Sequence, residues 1–166
     1  MCEPVARMNS KIITLPELAR RAGEIRQAGK RLVLTNGCFD LLHVGHVRYL
    51  EQARDLGDFL AVAVNGDESV RALKGAGRPL NSEADRAEVL AALEAVNFVT
   101  IFSSVRATQV IEAAQPAIYV KGGDYTPESL DFEERAAVQS IGAKTVILPH
   151  VPGKSTSQLI QKMQDQ

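Results

Sequence analysis

Two histidines, His43 and His46, lie three residues apart, with Gly45 between them, just after a turn that follows an apolar segment. Imidazole groups can donate hydrogen bonds to phosphate oxygens whose negative charge grows in a transition state. Backbone N–H groups at the start of the following helix can hold anionic oxygens, and the glycine lets a phosphate come close. The segment therefore predicts phosphoryl or nucleotidyl chemistry, with His43 and His46 as catalytic donors.

A structural role is the alternative for each histidine, which could cap the helix or fill a gap beside the sheet. The preceding turn, residues 36–40 (Asn-Gly-Cys-Phe-Asp), favours function, because ligands of open α/β folds bind at the carboxyl ends of strands. A metal site is not expected, since this spacing around a glycine supplies no third ligand. Asp40 is expected to hold the turn by accepting backbone N–H bonds.

Two further segments follow predicted strands and carry polar residues, residues 121–125 (Lys-Gly-Gly-Asp-Tyr) and residues 150–157 (His-Val-Pro-Gly-Lys-Ser-Thr-Ser). Asp124 could accept hydrogen bonds from ribose hydroxyls or an amine, or could be a turn residue that bonds its own backbone. Ser155, Thr156 and Ser157 begin a helix and could bind phosphate, although capping explains one hydroxyl. Residues 150–157 resemble a phosphate-binding P-loop, but Leu148 occupies the position at which that motif requires glycine.

A glycine-rich stretch from Lys74 to Pro79 could fold over a phosphate and bring Lys74 and Arg78 to it. A solvated surface loop is the equally supported alternative. Arg86, on the next predicted helix, is expected to form a surface or helix-end salt bridge.

Strand and helix patterns alternate along the chain and predict a doubly wound, five-stranded parallel sheet of the α/β class. Several strand runs are apolar on both faces, as a sheet covered by helices on both sides requires. Residues 1–13 are expected to be an N-terminal tail and residues 14–166 a single domain. The predicted strands are 31–35, 59–64, 98–102, 118–121 and 144–148, and the predicted helices are 15–28, 44–56, 68–73, 82–96, 107–114, 131–141 and 156–163.

Composition narrows the possible partners. The chain has 166 residues, 45% hydrophobic content and a net charge of -1, which gives no electrostatic argument for nucleic acid or an anionic membrane as partner. Two cysteines support neither a disulfide framework nor a structural zinc site. No apolar run reaches the roughly 18 residues of a membrane helix, and the N-terminus lacks a signal-peptide layout, so the cytoplasm is the expected compartment. A dinucleotide-dependent dehydrogenase is excluded because no G-x-G-x-x-G follows the first strand.

The chain resembles the cytidylyltransferase-like nucleotidyltransferases, through His43-Val44-Gly45-His46 and the Lys154-Ser155-Thr156-Ser157 segment. Among them it is most similar to adenylyltransferases of ADP-heptose synthesis, which act on D-glycero-β-D-manno-heptose 1-phosphate. Residues 35–40, 73–81 and 120–125 carry this closer resemblance, which implies a stand-alone enzyme with a Rossmann-like, HUP-type nucleotidyltransferase fold.

The resemblance implies transfer of AMP from ATP to the sugar phosphate, with Mg²⁺ carried by ATP and a homodimeric assembly. It implies catalytic roles for His43, His46 and Lys74, and contacts of Lys74, Arg78 and Lys121 with substrate. The implied nucleotide-binding residues are Asn36, Gly37, Cys38, Phe39, Gly45, Gly123, Asp124, Ser155, Thr156 and Ser157.

Asn97, residues 104–108 and Ala117 depart from the pattern of these relatives and leave the acceptor open. The alternatives on the same scaffold are glycerol 3-phosphate with CTP, and FMN with ATP. A nucleotide-sensing module without turnover is the alternative from another class.

Overall fold

The structure is a computed structural model that describes residues 10–123, 125–126, 128–149 and 156–164, without the side chains of residues 156–158 and 164. Its centre is a parallel sheet of five strands in the order β3-β2-β1-β4-β5. The predicted doubly wound α/β fold is confirmed. The strands are β1 (Leu32–Gly37), β2 (Phe59–Asn65), β3 (Phe98–Phe102), β4 (Ile118–Gly122) and β5 (Lys144–Leu148).

The helices of the described residues lie before, between and after these strands, with two of them between β2 and β3. They are α1 (Leu15–Gln27), α2 (Val44–Asp55), α3 (Asp67–Lys74), α4 (Glu83–Ala91), α5 (Thr108–Ala114), α6 (Phe132–Ser140) and α7 (Thr156–Gln164). None of the helices in this part of the chain has the length and apolar character needed to cross a membrane.

The period-two alternation of the strands divides the core into two layers. On one face Leu34 and Ala61 pack with buried residues of α1, α5 and α6. On the opposite face Val33 and Leu60, which are partners in the β1–β2 register, pack with buried residues of α2 and α4. The strands are apolar on both faces because helices cover both.

Side-chain caps fix where several helices begin. Thr14 accepts a hydrogen bond from Glu17 N at the start of α1, and Ser82 accepts one from Asp85 N at the start of α4. The predicted end of α4 at Val96 is wrong, because the helix ends at Ala91 and the chain turns, with Leu93 N donating to Leu90 O. The apolar spacing beyond Ala91 is helix-like, but Leu93 N and Val96 N donate to Leu90 O and Leu93 O in turns and do not continue the helix.

The residues just before α1 lie along the outer edge of β3. Val99 N donates to Lys11 O and Ile13 N donates to Val99 O, at 2.8 and 2.9 Å. The folded unit thus includes part of the segment predicted as a tail, while residues 1–9 lie outside the described residues.

The order of the strands determines where a ligand site can form. β1 pairs with β2 on one side and with β4 on the other, so the connections leave β1 and β4 towards opposite faces of the sheet. In an open α/β sheet such a switch point opens a crevice at the carboxyl ends of the strands.

Candidate active site

A cavity of about 700 Å³ lies at this switch point. Its volume is in the range of small-molecule sites. It collects side chains and backbone from the ends of β1, β2, β4 and β5 and from the first turn of α2. Residues predicted from separate loops therefore meet in one space. Those that line it are Asn36, Gly37, Cys38, Phe39, His43, Gly45, His46, Lys74, Arg78, Lys121 and Gly123.

The turn after β1 has an unusual backbone. Phe39 has a φ of 48°, in the left-handed region that few non-glycine residues adopt, and such strain concentrates at functional sites. A Cβ on Gly37 would lie 3.0 Å from the Phe39 ring, so glycine allows this tight turn. The Phe39 ring is buried and meets the His46 ring edge-on, with 5.6 Å between centroids. The turn therefore supports one of the histidines directly.

Both histidines are oriented by backbone hydrogen bonds at the start of α2. His43 Nδ1 accepts from Gly45 N at 3.1 Å, and His46 Nδ1 accepts from His43 N at 3.4 Å. When the rings are neutral, the proton is then carried by Nε2 in each, which makes Nε2 the donor nitrogen. The ring centroids are 4.0 Å apart. Capping and donation to a phosphate are thus compatible roles of one pair of side chains.

Cys38 lies in this turn and also lines the cavity. Burial raises the pKa of its thiol above the ordinary value, although the Lys74 and Arg86 cations act in the opposite direction. The thiol therefore stays protonated at neutral pH and does not supply a thiolate nucleophile.

Asp40 ties the turn to the segment that carries Arg78. Its buried carboxylate accepts hydrogen bonds from Leu80 N and Asn81 N, and from Arg78 Nε at 2.6 Å. Burial pushes the pKa of Asp40 upward, but the Asn81 and Leu80 donors and the Arg78 guanidinium outweigh it and hold the pKa below its usual value. The predicted acceptor role is confirmed, but the donors come from a distant segment and not from the turn itself.

Lys74 is the last residue of α3 and lines the cavity from this side. Within the described part of the chain it forms no ion pair. Arg78 differs, because Asp40 already fixes its Nε. An ammonium that forms no ion pair with the described residues and an oriented guanidinium thus line the same cavity.

The opposite wall consists of ion pairs that the sequence did not reveal. Lys121 Nζ lies 3.0 Å from Glu134 Oε2, and Glu134 is buried within α6. Arg106 pairs with Asp131, which also caps α6. Burial and the Glu134 carboxylate raise the pKa of Tyr119, so its hydroxyl stays protonated and can donate to Glu134. Lys121 is therefore held in place before any ligand binds.

Several further residues line the cavity to which the sequence assigned no role in the site. A usable signal existed for Tyr49, which follows His46 by one helical turn, and for Arg106, which follows β3. No local signal marks Asp131 or Glu134, since acidic residues in a first helical turn are ordinary. The missed lining residues are Tyr49, Asn65, Leu73, Val105, Arg106, Tyr125, Ser129, Asp131, Glu134 and Pro149.

Part of the predicted nucleotide site falls outside what the structure describes. Asp124 and Ser155 lie outside the described residues. Thr156 and Ser157 begin α7, as predicted, but their side chains are not among those described. Their roles stay predictions.

The buried arginine of α4 differs from its prediction. Arg86 was expected at the surface or in a helix-end salt bridge, and it does pair with Asp67 at the start of α3. Its surface placement is wrong, because the residue is 2% exposed.

The parallel sheet and the imidazole pair at its switch point define a nucleotide-binding α/β enzyme domain. The family model described as cytidylyltransferase-like matches residues 34–162. The chain therefore belongs to the cytidylyltransferase-like family and is a nucleotidyltransferase.

Curated relatives cover nearly all of this chain. The bifunctional protein HldE of Geotalea uraniireducens (strain Rf4) is 52% identical over 155 residues, which are 93% of this chain and 31% of that protein. The bifunctional protein HldE of Alkalilimnicola ehrlichii is 50% identical over 153 residues, 92% of this chain and 32% of that protein. The chain thus spans about a third of the length of these relatives.

A solved structure shares the fold. The crystal structure of the lipopolysaccharide core biosynthesis protein from Thermoplasma volcanium GSS1 matches with a TM-score of 0.61 and 26% sequence identity. The match covers 74% of this chain and 98% of that one.

Proposed function

We propose that this chain transfers the adenylyl group of ATP to D-glycero-β-D-manno-heptose 1-phosphate, giving ADP-heptose and pyrophosphate. The observation that carries the proposal is the oriented pair His43 and His46, which lines one cavity together with Lys74. The sugar acceptor is supported by the resemblance to heptose adenylyltransferases and by the similarity to a lipopolysaccharide core biosynthesis protein.

In the proposed reaction the acceptor phosphate attacks the α-phosphorus of ATP in line, and pyrophosphate leaves. Phosphoryl-group chemistry of this kind depends on positioning and on stabilising charge, with little covalent help from the protein. The Nε2 donors of His43 and His46 would stabilise the charge that develops on the phosphate oxygens and on the leaving group. The N-terminus of α2 adds backbone N–H donors beside them.

Lys74 and Arg78 are assigned to the acceptor phosphate, whose approach to ATP brings two anions together. Lys74 would supply a mobile charge, while Arg78 would supply a guanidinium that Asp40 has already oriented. Lys121, held by Glu134 at 3.0 Å, is assigned to a substrate phosphate or hydroxyl on the other wall.

Magnesium is proposed to enter with the phosphates of ATP. Mg²⁺ prefers oxygen ligands, and the cavity carboxylates of Asp40, Asp131 and Glu134 are each engaged by a cation of the chain. In the described part of the chain no three His, Cys, Asp or Glu side chains cluster as possible metal ligands. The donor set thus fits an ion held by substrate oxygens, where it would neutralise phosphate charge.

The nucleotide contacts proposed for Asn36, Gly37, Cys38, Phe39, Gly45 and Gly123 rest on their position around the cavity. Those proposed for Asp124 and Ser155–Ser157 rest on the sequence resemblance alone. A homodimer is proposed on the same resemblance, and a cytoplasmic location on the sequence pattern alone.

Two other acceptors and one other class of function compete with this proposal. Glycerol 3-phosphate with CTP, or FMN with ATP, would use the same histidines. A nucleotide sensor would need affinity but no donors aimed at a transition state, so the imidazole pair argues against it.

A pyrophosphate-release panel separates these possibilities. ATP, CTP, GTP and UTP are each mixed with Mg²⁺ and heptose 1-phosphate, other sugar phosphates, glycerol 3-phosphate or FMN. The proposal predicts the highest kcat/KM for ATP with the heptose 1-phosphate. Preference for CTP or for another acceptor would contradict the substrate assignment, and ATP binding without release in any mixture would indicate a sensor.

A further inference from the structure

Arg86 makes more hydrogen bonds than its place on α4 suggests. Its Nη1 donates to the carbonyl oxygens of Cys38 and Asn65, at 2.6 and 2.8 Å. Its Nε donates to Asn81 O at 3.1 Å, and its Nη2 pairs with Asp67 Oδ1 at 2.8 Å. One buried side chain therefore contacts four separate points of the backbone or side chains around the cavity.

Three of these four points belong to segments that carry proposed site residues, and the fourth, Asn65, itself lines the cavity. Cys38 lies in the turn that supports the histidines, and Asn65 ends β2. Asp67 begins α3, whose last residue is Lys74. The cationic segment, defined here as residues 67–81, is thus held at both of its ends by one guanidinium.

Two further hydrogen bonds hold the cationic segment in place. Glu83 Oε2 accepts from Asp67 N at 2.7 Å, next to the Arg86 ion pair. Asn81 Nδ2 donates to Asp40 O at 2.7 Å, which ties the far end of the cationic segment to the turn a second time. A shift of Arg86 would move the turn after β1 and the cationic segment relative to each other.

We propose that Arg86 is a positioning residue for the nucleotidyl transfer. It fixes the distance between the histidine turn, defined as residues 36–40 together with the histidines that they support, and the cationic segment. Its guanidinium suits this role because it offers five donors in a rigid plane, whereas a lysine ammonium offers three on a flexible stem. A buried ion pair adds little to stability compared with apolar packing, so the benefit of the charge lies in the geometry that it fixes. The role of Arg86 rests on the proposed function, because the turnover of that function is the quantity measured.

The test compares Arg86→Lys with the control Arg54→Lys. Arg54 Nη1 also donates to a backbone carbonyl, that of Gly57 at 2.7 Å, but it does not line the cavity. For Arg86→Lys we expect kcat to fall about 10- to 100-fold, the effect of misplacing reacting groups by about 1 Å, while KM for ATP changes less than about threefold. Arg54→Lys is expected to keep the wild-type kcat.

Asp67→Asn provides a milder variant in case Arg86→Lys does not fold. It removes the ion pair but keeps the three carbonyl contacts of Arg86, so we expect a smaller loss of kcat, about 2- to 10-fold, again without a matching rise in KM for ATP. Wild-type kcat per folded molecule in either variant, with only a lower melting temperature, would overturn the positioning role.

The kinetics use whichever substrate pair the wild type turns over fastest. A preference of the wild type for another pair would overturn the proposed function alone and leave the Arg86 measurement intact. A wild type that turns over no pair would overturn both.

Discussion

His43 serves the fold and the chemistry with different atoms of one ring. Nδ1 accepts from Gly45 N and caps α2, and this bond places the proton of the neutral ring on Nε2. The two interpretations of this histidine that the sequence left open are therefore compatible. The same holds for His46, whose Nδ1 accepts from His43 N.

Substitutions of His43 can separate the two roles. Asparagine is a favourable cap residue but cannot replace Nε2, whereas alanine removes both functions. We expect His43→Asn to stay within about 0.5 kcal/mol of the wild-type free energy of unfolding and His43→Ala to lose about 1 kcal/mol. Both are expected to lose about 100-fold or more in kcat.

Chemical denaturation and pyrophosphate release measure these two effects on the same samples. Wild-type turnover in His43→Asn would show that His43 is a cap only.

The loop between α3 and α4 owes its position to Asp40. Leu80 N, Asn81 N and Arg78 Nε all donate to this carboxylate, so a single buried charge connects the loop to the turn after β1. This glycine-rich loop, for which the sequence left a mobile phosphate-binding loop and a solvated surface loop as alternatives, is thus anchored at Arg78, Leu80 and Asn81, which keeps Arg78 at the cavity.

The lowered pKa of Asp40 predicts how stability depends on pH. The unfolded chain binds a proton to Asp40 near pH 3.9, and the folded chain only below that, so the carboxylate stabilises the fold above this pH and the effect is lost as pH falls through the folded pKa. Asp40→Asn should therefore be less stable than wild type at pH 7, by about 1.5–3 kcal/mol.

Urea denaturation of both proteins between pH 7 and pH 3 checks this dependence. The difference in unfolding free energy should stay constant down to about pH 5 and shrink below about pH 4. A constant difference over the whole range would contradict the assignment of an ionised Asp40.

The junction of α2 and β2 requires glycine for space. A Cβ at Gly57 would lie 2.7 Å from Val33 Cγ2 and 2.9 Å from Arg31 O, and the buried Val33 cannot move aside. Gly57→Ala is expected to lose about 1–3 kcal/mol of stability, with unchanged kcat in the folded fraction.

Gly23→Ala is the matched control for this substitution. Gly23 lies inside α1, and a Cβ added there would have no neighbouring atom within 4 Å, so alanine should raise stability by about 0.5–1 kcal/mol. Thermal unfolding measures whether Gly57→Ala lowers and Gly23→Ala raises the melting temperature. Equal changes of melting temperature in the two variants would contradict the steric explanation.

The sequence predicts the architecture of the molecule because the strand pattern, the helix pattern and the helix caps all indicate the same fold. Apolar runs of about five residues alternate with capped helices, and a parallel sheet covered on both faces is their consistent solution. The loops at the carboxyl ends of strands converge for the same reason. The end of α4 was mispredicted because the spacing of Leu90 and Leu93 continues a helical period, whereas the chain turns after Ala91.

The parts of the site that escaped prediction depend on contacts between distant residues. The Lys121–Glu134 pair and the contacts of Arg86 join residues far apart in sequence. The sequence next to Lys121 or Arg86 does not indicate which distant residue each of them contacts. Burial of such charges follows from the folded arrangement alone, so the sequence could suggest the histidine turn but not the network that holds it.

His46→Ala examines whether the imidazole pair acts on a transferring nucleotidyl group. With ATP, Mg²⁺ and the heptose 1-phosphate, the single-turnover rate of pyrophosphate release is compared with wild type, and ATP binding is measured by calorimetry. For His46→Ala we expect a rate lower by about 10²- to 10³-fold, or about 3–4 kcal/mol, with ATP affinity nearly unchanged. A folded His46→Ala that releases pyrophosphate at the wild-type rate would contradict it.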